Sequence, residues 1–323
     1  MRGIRKTLFA VLLACVASVA LAQTYPAKAV RVIVPYPAGG YYDLLARVIG
    51  AKLAETWSHP FVVENRVGAN GIIGTDFVAK SNPDGYTIMM GGVGPHGINP
   101  SMYAKLPYSP LRDFAPIIHI ASAPNVLVVH PSVDARSVSE LISLAKSKPG
   151  ALTFSSAGSG SSQHLSGEML KMMTGVSMTH VPYKGSAPAV TAVLAGEVTL
   201  LFGTMADVVE HIRAGKLRAL AVTGAERIPV LPDVQTMVEA GIPGYEATAW
   251  FGMLAPAGTS REIVVKLNEE VNRVLKMPDV LARISQQGSA EIIGGPPEQY
   301  AAFIRVEVAK WGRVVKETGV KVE

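Results

Sequence analysis

The sequence predicts an α/β protein of two lobes separated by a cleft. Three observations lead there. Strand-like and helix-like segments alternate over most of the 323 residues. Loops of small residues repeatedly join an apolar strand to the start of a helix. Two apolar strands, Asn125–Val129 and Trp250–Ala255, stand apart from this alternation, each followed by a proline and a new helical start. They split the chain into 24–124, 125–247 and 248–323. If the outer parts build one lobe and the middle part the other, these strands are paired crossovers between lobes; a single elongated domain is the alternative. Ligands of open α/β sheets bind beyond the carboxyl ends of the strands, so facing lobes would form a cleft.

The elements follow in order. Residues 1–22 carry Arg2, Arg5 and Lys6, an apolar run from Leu8 to Val19, and Ala20-Leu21-Ala22 as a small-x-small cleavage signal. This is the pattern of a secretory leader, cut after Ala22 to leave Gln23 first. Its apolar run is shorter than the roughly 20 residues that span a bilayer. The one cysteine, Cys15, lies inside it, so the mature chain is expected to hold no disulfide and no cysteine–metal site. Leu12-Leu13-Ala14-Cys15 resembles a lipoprotein cleavage box, but Val16 to Ala22 stays apolar where a lipidated chain would turn polar.

After the leader, Val32-Ile33-Val34 reads as a buried strand. Leu44, Leu45, Val48, Ile49 and Leu53 then recur at the period of a helix with one buried face. Phe61-Val62-Val63 reads as a strand, Ile72 to Lys80 as a helix, and Pro83-Asp84-Gly85 as a turn before the strand Tyr86–Met90. Ser137-Val138-Ser139-Glu140 is a capping box for a helix from Leu141 to Lys146. Strands 151–155, 178–182, 198–202 and 217–223 alternate with helices 162–174, 187–195 and 207–214. A long amphipathic helix runs from Arg261 to Lys276, and a last one from about Pro297 to Lys316.

Two of the loops look like anion cradles. Tyr36-Pro37-Ala38-Gly39-Gly40-Tyr41-Tyr42-Asp43 ends the first strand and opens a helix. Its glycines would let a ligand approach the backbone, and helix-start N–H groups favour an anion; an ordinary tight βα turn is the plainer reading. The second is Ser155-Ser156-Ala157-Gly158-Ser159-Gly160-Ser161-Ser162-Gln163-His164-Leu165, with Ser161 or Ser162 as helix cap. Its donors are neutral, which suits a carboxylate; a flexible serine loop is the alternative. Val93-Gly94-Pro95-His96-Gly97 and Tyr183-Lys184-Gly185-Ser186 could face the same cleft. The candidate ligand-binding residues are therefore Tyr36, Ala38, Gly39, Gly40, Tyr41, Tyr42 and Asp43 in the first loop, with Gly94 and His96 in the third segment. In the second half they are Ser156, Gly158, Ser159, Gly160, Ser161, Ser162 and His164, then Tyr183 and Thr204. Asp43 could bind a ligand amine or hydroxyl, or bond N–H groups at its own helix start. His164 could face the ligand or cap its own helix.

Other chemistry finds little support. Removing the three basic residues of the leader from 30 leaves 27 against 25 acidic residues, which gives no reason to invoke nucleic acid or a polybasic membrane surface. Gly158-x-Gly160 lacks the third glycine of a dinucleotide fingerprint, and no stretch matches a phosphate P-loop. Ser159 lacks the spacing of an esterase nucleophile elbow. His96, His119, His130, His164, His180 and His211 show no paired spacing for zinc. No nucleophile–base–orienter set emerges, so an enzyme is the weaker class, and neither cofactor nor metal is expected.

At this point the ordered motifs Tyr25-Pro26, Val34–Gly40 with Asp43, Val63-Glu64-Asn65-Arg66, Pro83-Asp84-Gly85-Tyr86, Ser162-Gln163-His164-Leu165, His180–Gly185, Gly215–Leu220, and Trp250-Phe251-Gly252 with Ala255-Pro256 can be read together. Over essentially the whole mature chain, it resembles the Bug-type periplasmic solute-binding receptors of tripartite tricarboxylate transporters. The resemblance implies a two-lobed type II periplasmic-binding-protein fold that closes over a small carboxylate and hands it to a membrane permease. It also implies that loops 36–43 and 155–164 hold the carboxylates, partly through ordered waters. Asp43 matches a family position that can meet polar groups of a ligand. Two departures bear on ligand choice: Tyr41 and Tyr42 stand where smaller residues are common, and Phe202-Gly203-Thr204-Met205 replaces a more polar run. Both make the pocket more apolar or aromatic.

The expected function is capture of a mono- or dicarboxylate in the periplasm by a monomer that serves permease subunits. For the ligand, an aliphatic C4–C6 diacid stands against an aromatic one such as terephthalate. The rivals are a secreted hydrolase using Ser159 or Ser161 with a histidine on a small carboxylate ester, and a receptor that signals rather than feeds a permease.

Overall fold

The first apolar run forms β1 (Val30–Val34), in which four of five residues are buried. The computed structural model describes residues 25–288 and 291–320; the expected leader, its cleavage site and Cys15 lie outside them. β1 lies parallel to β2 (Phe61–Asn65) on one side and β3 (Thr87–Gly92) on the other. β3 is followed by β9 (Thr248–Pro256) and β4 (Phe114–Val129), each antiparallel to its neighbour. β4 is the long element of the molecule, at 16 residues. Up to Pro124 it pairs with β9, and from Asn125 onward with β7 (Leu200–Thr204) and β8 (Arg218–Val222). β5 (Thr153–Ser156) pairs parallel with β7 and with β6 (Thr179–Pro182). The two-residue β10 (Glu291–Ile292) adds to β4 at Ala121 and Ser122. The result is a mixed α/β fold in which one strand passes from the first sheet region into the second.

The sequence segment Asn125–Val129 is thus the last third of a strand whose earlier part, 114–124, carries Pro116 and Pro124 and does not read as a strand. Register shifts at Pro116/Ile118 and His119/Ala121 accommodate it. Proline lacks the N–H a ladder needs, and bulges are where sheets tolerate it. Beyond Asn125 the strand alternates cleanly. Leu127 and Val129 face the main core, while Val126 and Val128 face a second cluster with Val190, Val193 and Leu201, as the two-residue period of a strand requires.

The helices are α1 (Tyr41–Trp57), α2 (Ile72–Ala79), α3 (Asn99–Met102), α4 (Val138–Ser147), α5 (Ser162–Thr174), α6 (Ser186–Leu194), α7 (Met205–Arg213), α8 (Arg261–Leu275), α9 (Pro278–Gly288) and α10 (Pro297–Thr318). The expected Ser137 cap forms, with the Glu140 N–H donating to Ser137 Oγ at 3.1 Å, while Glu140 Oε2 accepts at 2.6 Å from the N–H of Arg136, one residue before the cap. In α8, Val264, Leu267, Val271, Val274 and Leu275 are buried. The apolar face of α10 presents Tyr300, Ile304 and Trp311. Buried Glu307 of that helix accepts from the indoles of Trp250, at 2.7 Å, and Trp311, at 2.9 Å. This satisfies two N–H groups that would otherwise lie unpaired in the core. Gly252, next in β9, must be small: a Cβ there would run into the Tyr300 ring and lie 2.6 Å from the Ile118 carbonyl.

Candidate functional site

The first glycine loop turns directly into α1. Gly40 is the N-cap, with an extended backbone, and no side chain caps the helix. The first-turn N–H groups of a 17-residue helix are therefore not closed off by a cap. Ala38, Gly39 and Gly40 are exposed. Asp43 is not exposed. Its carboxylate accepts from the Gly39 N–H at 3.0 Å, from the Asn65 amide at 3.0 Å, and from Arg47 Nε and Nη2 at 2.8 and 2.9 Å. The Arg47 guanidinium first, with the Gly39 and Asn65 donors, holds its pKa down to about 2. The acid at the helix start thus serves to lock its own loop.

The aromatic residues of this loop stack within their own half of the molecule. Tyr42 lies between Tyr36, 4.6 Å away, and Phe251, 4.7 Å away; Tyr41 meets Phe251 edge-on at 4.8 Å. The Tyr41 hydroxyl donates to the Ile284 carbonyl at 3.1 Å. Tyr36 reaches toward Asn70, its hydroxyl 3.4 Å from Oδ1 and 3.5 Å from the carbonyl. Gly94 lies beside that same hydroxyl, where no Cβ would fit. His96, two residues on in the π-type turn Val93–Ile98, instead turns inward. It is fully buried against Phe114 and Tyr108, and burial lowers its pKa to about 3.

The second loop is held by a denser network. Ser161 is the cap of α5, accepting from the His164 N–H at 3.2 Å, and Leu165, Met169 and Leu170 give that helix its buried face. Ala157 N–H donates to Gln163 Oε1 at 2.7 Å, Gly158 N–H to Ser156 Oγ at 3.1 Å, and Gly160 N–H to His164 Nδ1 at 3.1 Å. The last bond assigns the proton of neutral His164 to Nε2. Ser156 Oγ also meets His180 Nε2 at 2.7 Å. The His164 and His180 rings stack 3.8 Å apart and 15° from parallel. Burial, with Lys171 nearby, depresses both, to about 3 and about 4. Ser159 and Ser162 remain half-buried at the loop. Tyr183 adjoins it, its N–H donating to the Ser156 carbonyl at 3.0 Å. Thr204 is the N-cap of α7, its hydroxyl bonded to Asp207.

A residue that sequence reasoning missed joins the two loops. Asn70 donates its amide to the Gly160 carbonyl at 3.3 Å and to Asn99 Oδ1 at 2.9 Å, while Asn99 donates back to the Asn70 carbonyl at 3.0 Å. Asn70 sits in the left-handed region, φ 49°, which asparagine tolerates better than most residues. The available signal was Gly68-Ala69-Asn70-Gly71, a turn-forming cluster. The structure therefore brings Tyr36, Gly94 and Gly160 together through Asn70, and leaves His96 in the core and Asp43 in a local lock.

Comparison with known proteins agrees with this architecture. Residues 45–320 match the family model described as tripartite tricarboxylate transporter family receptor. Protein BugT of Bordetella pertussis is 40% identical over 303 residues, covering 94% of this chain and 93% of that protein. A protein of R. palustris solved with adipate superposes with a TM-score of 0.82 at 41% identity, covering 92% of this chain and 99% of the other. MatC of Rhodopseudomonas palustris, solved with bound malate, gives 0.79 at 35% identity, covering 90% and 100%. The sheet order, the shared strand and these full-length matches together place the chain in the tripartite tricarboxylate transporter receptor family.

Proposed function

We propose that this receptor works in the periplasm, released as a soluble monomer after cleavage at Ala22, and closes two lobes over a small dicarboxylate for delivery to permease subunits. The lobes are 24–124 with 248–323, and 125–247. The observation that carries the reading is that Asn70 links two helix-start loops, 36–43 and 155–164: the Tyr36 hydroxyl of the first reaches it, and it donates to the Gly160 carbonyl of the second. The uncapped start of α1 offers N–H groups to one carboxylate. Ser159, Ser162 and Tyr183 offer neutral donors to the other. That relatives of this length and likeness were solved with adipate and malate, both diacids, supports two carboxylate subsites. Hydrogen bonds to a charged group contribute about 1.5–3 kcal/mol each, and micromolar affinity corresponds to about 8 kcal/mol, so a few bonds at each end suffice after the ordering cost.

Between the aliphatic and the aromatic ligand we favour an aliphatic C4–C6 diacid. Both loop tyrosines that would stack on a ring already pack on Phe251. We also favour binding over hydrolysis. Ser161 serves as a helix cap, and the serine–histidine contact at the second loop involves Ser156, which is fully buried. A thermal-shift panel tests the reading: the melting temperature should climb with the logarithm of succinate or adipate concentration, and the ligand should be recovered unchanged. No shift with any diacid, or an ester cleaved on incubation, would sink it.

A further inference from the structure

A cavity of about 890 Å³ lies away from the glycine loops, where β4 passes from one sheet region to the other. Ligand sites typically enclose about 300–1,000 Å³. One wall comes from β4 and the C-terminal segment: His119, Ser122, Glu291, Ile293 and Phe303. The other comes from the loop after β8 and the approach to β9: Glu226, Ile228, Pro229, Val230 and Glu246. Side-chain alternation along β9 separates it from the candidate cleft. Phe251 turns to Tyr41 and Tyr42, whereas its neighbour Trp250 turns to Phe303, with the rings 5.4 Å apart.

We propose that this cavity is a second ligand site, for an organic cation with an apolar body, and that its occupancy is coupled to the main cleft. The floor is apolar and aromatic. Phe303 and His119 pack 4.4 Å apart in the lining, and an aromatic ring attracts a desolvated ammonium. The rim is acidic: Glu226, Glu246 and Glu291 are exposed and, among the described residues, none of them has an ion-pair partner. Arg227, the one cation in the lining, is already engaged by Glu239 at 2.9 Å. An amine is thus held by carboxylates that no internal cation neutralises, and an organic anion is repelled.

The coupling follows from where the walls originate and rests on the two-lobe reading above. The cavity has this shape in the arrangement that also brings Asn70 to Gly160. A ligand that fits it selects that arrangement, as does a diacid in the cleft, so each should tighten the other.

The test uses the mature chain and 2-phenylethylammonium, with ethylammonium and phenylacetate as controls lacking the ring or reversing the charge. Ligand-observed NMR should show saturable 1:1 binding of the aromatic amine and at least tenfold weaker binding of both controls. The double variant Glu226→Gln/Glu246→Gln, which leaves the core untouched, should bind it at least fivefold more weakly, and Phe303→Ala should do the same if folded. Phenylacetate binding as well as the amine, an unaltered double variant, or no amine binding would overturn the site. Saturating adipate should tighten amine binding at least twofold. Adipate that binds without that effect overturns the coupling, whereas adipate that does not bind at all counts against the cleft reading and leaves the amine titration to decide the site.

Discussion

The side-chain amide of Asn70 donates to the main-chain carbonyl of Gly160 at 3.3 Å, across 90 residues of sequence. It is the point where the loop that follows β2 touches the loop that follows β5. In the proposed mechanism this bond belongs to the closed arrangement. Asn70→Gly keeps the left-handed backbone and deletes the contact, so diacid affinity should fall about fivefold, within the range of one net hydrogen bond, with a lower melting temperature because buried Asn99 Oδ1 also loses its donor. Calorimetry alongside thermal melting checks it; an unchanged dissociation constant would remove the latch role.

Gly160 tests the same junction from the other side. Its φ is +81°, and a Cβ would lie 2.9 Å from Asn70 Nδ2. Gly160→Val strains the loop and pushes Asn70 aside, so affinity should drop at least tenfold. Equal affinity in this variant would place the site elsewhere.

The stacked His164–His180 pair sets a pH dependence. Burial depresses both imidazoles, to about 3 and about 4, as it does His96, to about 3, and His119, to about 4. Unfolded histidine takes up a proton near pH 6.5, while these folded ones resist until pH 3–4. Stability is therefore full above about pH 6.5 and falls as pH drops toward 4, by roughly 1.4 kcal/mol per pH unit for each histidine. Urea unfolding at pH 7.5, 6 and 5 should show the decline, and His180→Gln should make it shallower. An identical slope in that variant would contradict the assignment.

Asp43 behaves with the opposite kind of group. Its pKa is lowered to about 2, chiefly by Arg47, so its contribution is present above about pH 4 and is lost as pH falls through 2. Asp43→Asn should cost on the order of 1–2 kcal/mol at neutral pH, and the gap to the parent should narrow below pH 4. A gap that stays constant down to pH 3 would mean that the lost packing, not the charge, matters.

Much of the fold was legible because periodicity is local. The buried face of α8 and the serine cap at Ser137 follow from spacing alone, and spacing narrowed the cap of α5 to Ser161 or Ser162, of which the structure uses Ser161. The first part of β4 did not, since Pro116 and Pro124 mask a strand that only bulges and a partner far away in sequence sustain. In the site, the small-residue loops were visible. Their internal wiring was not: Gly160 bonded to His164, Ser156 to His180 and Asp43 to Arg47 are choices made by three-dimensional packing. Asn70 was missed because one asparagine in a glycine turn looks like turn chemistry until its partner is known.

In the proposed receptor, two loops on facing lobes each hold one carboxylate of an aliphatic diacid. Competition calorimetry with adipate, succinate, terephthalate and benzoate tests this most directly. Adipate or succinate should give a 1:1 isotherm of about micromolar affinity, with terephthalate and benzoate at least tenfold weaker. Benzoate binding as tightly as the diacids would contradict the two-carboxylate site, terephthalate binding most tightly would contradict the aliphatic assignment, and heat from none of the four would contradict the reading as a whole.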